Sequence, residues 1–98
     1  MKPIQSPPES FLGFSSWFYQ DIRHDYPSFD AAVSAYIARL DAPGSAELHA
    51  YLGELVGSEA SDDELRKLWS DSGAEWNMQP IRPFFERVRA QFAGGGER

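Results

Sequence analysis

Apolar residues in this chain recur at three- and four-residue intervals and never alternate with polar ones over any useful length. Such spacing lays one apolar stripe along a helix, whereas a half-buried strand needs a period of two. The chain therefore reads as all-α, and the stripes mark where its helices lie.

The first stripe is Phe11, Phe14, Phe18 and Ile22, with Ser10 placed to act as an N-cap. Gly13 and the pair Ser15–Ser16 weaken helix propensity here, and the aromatic density would also suit a strand, but the spacing favours helix. Residues 23–28 read as a loop. Ser28 then caps a helix with Phe29, Val33, Tyr36, Ile37 and Leu40 on one face, and Asp30 and Arg39 agree with its dipole. The run Asp41-Ala42-Pro43-Gly44-Ser45 breaks it. A third helix carries Leu48, Tyr51, Leu52, Leu55 and Val56 and stops at Gly57.

The sharpest local signal is Ser61-Asp62-Asp63-Glu64, a capping box in which Ser and Glu three residues apart satisfy each other's backbone donors. It opens a fourth helix with Leu65, Leu68 and Trp69 inward, and Gly73 sits where a C-terminal cap belongs. Residues 73–80 are a loop carrying Trp76 in polar surroundings. A last helix places Ile81, Phe84, Phe85, Val88 and Phe92 inward and tolerates Pro83 in its first turn. The expectation is a single small domain of about five short helices over residues 10–92. Residues 1–9 form an extended lead-in and residues 93–98 a flexible tail.

Ninety-eight residues suffice for one core, and the chain is 42% hydrophobic with three Trp, four Tyr and seven Phe. The net charge is −6. Residues 1–78 hold thirteen Asp or Glu against five Lys or Arg, a balance of −8, while residues 79–98 balance at +2. An acidic field repels phosphate backbones and speeds encounter with basic partners, which argues against direct nucleic-acid binding. With no Cys, disulfides and thiolate-bound metals are excluded. The N-terminal stretch does not read as a signal peptide and no stretch reads as a membrane span, so the expected compartment is the cytoplasm.

Chemical candidates are few. His24 and His49 with Asp21 and Asp25 could supply ligands for a divalent metal, but the two His lack a fixed spacing and no further His is available. No Ser or carboxylate lies in a pattern that sets a base beside a nucleophile, and no Gly-rich run precedes a helix to cradle phosphate. The chain therefore reads as a binding protein, with no catalytic, metal-ligating or cofactor-binding residues. The candidate partner-binding residues are Asp21, Asp25, Asp62, Asp63 and Trp76, because an aromatic anchor ringed by charge is how interface hot spots are built.

The order of these segments resembles an immunity-protein family of bacterial contact-dependent growth inhibition systems. The resemblance rests on an aromatic-rich opening that ends in Gln20-Asp21, an Ala-rich helix ending near Leu40, and the Ser-led acidic helix start Ser61 to Glu64 with its later Gly73. It closes on the aromatic pair Phe84-Phe85 followed by Arg87 and Arg89. The chain has Ile22 where that family usually has Trp, and a shorter loop before the last helix. The resemblance implies a cytoplasmic antidote that needs no cofactor. It would bind the C-terminal toxin domain of a cognate effector, many such toxins being basic nucleases, and occlude the surface the toxin needs. A small acidic adaptor for a housekeeping or transcription protein is the alternative.

Overall fold

The structure, a computed structural model, describes residues 6–96. It is all-α, and the described residues form six helices with no strand: α1 Glu9–Trp17, α2 Ile22–Asp25, α3 Phe29–Arg39, α4 Ala42–Gly57, α5 Asp62–Asp71 and α6 Ile81–Gly96. Helix α6 packs on α3, α4 and α5, while α1 lies against α4.

The core is built around Trp69 of α5. Five Phe rings stand within 5.2–6.2 Å of its indole, from Phe18 at 5.2 Å to Phe11 at 6.2 Å, with Phe14, Phe84 and Phe85 between. Most are edge-on or tilted, the arrangements that bring a positive ring edge to a negative face. Leu48, Leu52, Leu55, Leu65, Ile81 and Val88 complete the buried centre.

Two caps form as expected. Ser28 accepts from the Ala31 amide at 3.1 Å, and Ser61 and Glu64 make both bonds of the capping box. The end of α5 is a Schellman motif. Gly73 has φ of +115°, its amide donates to Ser70, and the Ala74 amide donates to Trp69.

Several boundaries differ from the sequence reading, each for a visible reason. Ser10 is not an N-cap. The chain turns helical two residues earlier, with Pro8 as the N-cap residue and the Phe11 and Leu12 amides bonding to its carbonyl, and the Ser10 hydroxyl donates to Glu47 of α4 at 2.8 Å. The stripe from Phe11 to Ile22 is buried throughout but is not one helix. At Phe18 the backbone leaves helical dihedrals, and its carbonyl accepts from the distant Glu75 amide at 2.9 Å. Residues 22–25 then form the single turn α2, which makes six helices of the expected five. The break after Leu40 is shorter than expected, because Asp41 caps α4 by accepting from Gly44, with Pro43 in the first turn. Helix α6 runs past Phe92 to Gly96. Residues 1–5 of the expected lead-in and 97–98 of the expected tail lie outside the described residues.

Gly13 owes its place to packing. A Cβ there would stand 2.6 Å from the Tyr36 hydroxyl, which reaches across α1 to donate to the Ser10 carbonyl at 2.9 Å.

Candidate functional site

The loop between α5 and α6 is tied to the segment after α1 by backbone and side-chain bonds. Besides the bond from Glu75 to Phe18, the Gln20 amide donates to the Glu75 carboxylate at 2.6 Å. The Trp76 indole donates to the Tyr19 carbonyl at 2.7 Å. The Trp69 indole in turn donates to the Trp76 carbonyl, also at 2.7 Å. Trp76 is thus half-buried and anchored at both its ring and its backbone. Its ring meets Phe29 edge-on at 5.2 Å.

These ties create an open groove of about 610 Å³ between the start of α3, the loop and the first turns of α6. Phe29, Trp76, Met78, Pro80, Pro83 and Phe84 give it apolar walls. Two guanidinium groups line it as well. Arg23 of α2 lies over the Phe29 ring at 5.2 Å, and Arg87 of α6 pairs with Asp30 at 2.6 Å. Trp76 also lines a smaller depression of about 190 Å³. Its wall includes Arg66, paired with Asp63.

The expected interface residues occupy two places. Asp21 precedes α2 and Asp25 ends it, two positions either side of Arg23, but neither lines the groove with Trp76. Both are exposed, and neither carboxylate bonds to another described residue. Asp62 and Asp63 open α5, about 10 Å along the helix axis from Trp69. Asp62 is unpaired among the described residues, while Asp63 is held by Arg66 one turn on.

Comparison with models of known protein families, with curated proteins and with solved structures finds no match. All Asp and Glu side chains among the described residues are exposed. Several basic groups are already engaged within the fold: Arg66 and Lys67 by carboxylates, Arg39 over the Trp17 ring, and Arg82 by backbone carbonyls. The outward field is consequently acidic.

No three His, Cys, Asp or Glu side chains gather to hold a metal ion among the described residues. His24 is exposed on α2, and His49 of α4 meets Phe92 of α6 in a tilted ring pair at 5.4 Å. Among the described residues no helix is long and apolar enough to cross a membrane.

Arg23, Phe29 and the proline-framed stretch from Met78 to Pro83 were not among the sequence candidates. Phe29 read as a core residue because it lies on the inward stripe of α3, yet it is only half-buried. The two prolines at 80 and 83 around Ile81 were the available signal, since they limit how the wall can rearrange.

Proposed function

We propose that this chain is an immunity protein. It binds and neutralises the toxin domain of a cognate contact-dependent growth inhibition effector by covering a surface the toxin needs. The observation that carries the reading is an aromatic-walled groove on a molecule whose Asp and Glu side chains are all exposed among the described residues. Trp76 and Phe29 offer apolar area in a fixed geometry, and fixed anchors bind with little loss of side-chain entropy. Asp21, Asp25 and Asp62, exposed and unpaired among the described residues, add to an acidic field that steers a basic domain toward the molecule. The order of segments shared with that immunity-protein family supports the same assignment.

The test is co-purification of the chain with the toxin domain encoded immediately upstream, followed by association rates at two salt concentrations. Asp21→Asn/Asp25→Asn slows association at low salt and flattens its salt dependence, with dissociation little changed. The pair Asp62→Asn/Asp63→Asn reports whether the start of α5 shares the interface. Absence of binding to that toxin domain, and of protection in cells producing it, overturns the assignment and leaves the adaptor reading.

A further inference from the structure

The groove walls carry the opposite sign to the rest of the molecule. In a chain of net charge −6, two arginines and a single carboxylate, Asp30, line the groove. Arg23 has no carboxylate partner among the described residues, and its guanidinium carbon lies over the Phe29 ring, 5.2 Å from the centroid. The pair of Arg87 with Asp30 is exposed at both ends, so water screens it and a better-placed anion can replace it at little cost. A guanidinium over an aromatic ring gives up none of its N–H donors to a hydrogen-bond acceptor, which leaves them for a carboxylate.

We propose that the groove receives a short segment of a protein partner in which a carboxylate stands next to an apolar side chain. The apolar group sits between Trp76 and Phe84, and the carboxylate bridges toward Arg23 and Arg87. A wholly basic segment would meet two like charges here, and a wholly apolar one would cover the Arg23 guanidinium without a carboxylate to accept from it, each at a desolvation cost. The inference gives the partner segment its chemistry and rests on the proposed function only in taking the occupant to be protein. The acidic surface and the arginine-lined groove then address different parts of one partner, the surface its field and the groove a single segment.

The probe is a random peptide library displayed on phage and selected against the full chain. The expected result is a consensus of Asp or Glu beside a large apolar residue, with the Trp76 indole resonance shifting when the free peptide is added. Arg23→Gln and Arg87→Gln each weaken that peptide about tenfold, the loss of one hydrogen bond to a charged group. Both side chains are exposed, and a helical spectrum checks that the variants fold. A basic consensus, no consensus, or an acidic consensus indifferent to both substitutions overturns the proposal. So does a concentration-dependent dimer that Arg87→Gln dissociates, because a second copy then fills the groove. Failure of the two ideas is distinguishable. A toxin domain that binds normally to both Arg variants sinks the groove assignment alone, whereas peptides that bind as described to a chain with no affinity for the toxin domain sink the immunity assignment alone.

Discussion

The indole N–H of Trp69 donates to the backbone carbonyl of Trp76 at 2.7 Å, and that bond joins the core to the candidate site. Trp69 sits among five Phe rings at 1% exposure, while Trp76 lies at the groove wall and passes its own N–H to Tyr19. The position of the groove therefore depends on a side chain at the centre of the protein. Trp69→Phe keeps most of the apolar volume but leaves the Trp76 carbonyl short of its donor. It should lower stability by about 1–3 kcal/mol in urea denaturation, and the Trp76 indole resonance should broaden or move. A stability loss without any change at Trp76 would show that the loop holds its place unaided.

Gly73 is required on two counts. Its φ of +115° is a conformation L side chains rarely adopt, and a Cβ would lie 2.6 Å from the Ser16 hydroxyl. Gly73→Ala should cost more than about 1 kcal/mol. Adding Ser16→Ala removes the oxygen but not the backbone strain, so the double variant should recover only part of the loss in the same melts.

Two serines should respond to alanine with opposite signs. Ser61 accepts from the Glu64 amide in the capping box, and Ser61→Ala should lower stability by about 0.5–2 kcal/mol. Ser15 is fully buried, and its hydroxyl has no hydrogen-bond partner among the described residues. Ser15→Ala discards an unpaired polar group and improves helix propensity, so its denaturation midpoint should rise. A fall would mean that the Ser15 hydroxyl makes a stabilising bond in solution.

Arg82 holds the C-terminal end of α4. Its guanidinium donates to the carbonyls of Leu55 at 3.1 Å and Val56 at 2.7 Å, and also to that of Ala60 in the link to α5. The last carbonyls of a helix have no partners within it, and a cation there also meets the negative end of the dipole. Arg82→Met preserves the half-buried stem and removes the donors. It should destabilise by about 2 kcal/mol, with amide exchange accelerating first near the end of α4.

Alkaline pH should unfold the protein through its buried phenols. Burial, and secondarily the Glu54 carboxylate, push Tyr51 up to about 12, and burial also raises Tyr36 despite the nearby Arg39. The neutral phenol is thus favoured more in the folded than in the unfolded chain, where it titrates near 10. That contribution is fully present below pH 10 and is lost as pH rises toward 12. Thermal melts should show a Tm falling above pH 10, and Tyr51→Phe should flatten that fall.

Much of the helical layout was legible locally. The stripes of α3, α4, α5 and α6 involve residues three and four apart, and the caps at Ser28 and Ser61 are decided within four residues, so neighbouring side chains carry the information. The same local rules misplaced the start of α1. Ser10 looks like a cap, but its hydroxyl is claimed by Glu47, thirty-seven positions away. They also joined Phe11 to Ile22 in one helix, because burial continued along the stripe after the backbone had turned aside to meet Glu75. Among the site candidates, the sequence singled out Trp76 as unusual in a polar loop and identified the acidic positions. It could not separate Asp21 and Asp25, around the short α2, from Asp62 and Asp63 at the start of α5. Nor could it foresee that Arg23 and Arg87, sixty-four positions apart, would face one groove. Helix spacing and caps are properties of a short stretch of chain. A groove exists only once α2, α3, the 72–80 loop and α6 have been brought together, and that meeting is set by the packing of five Phe rings around Trp69.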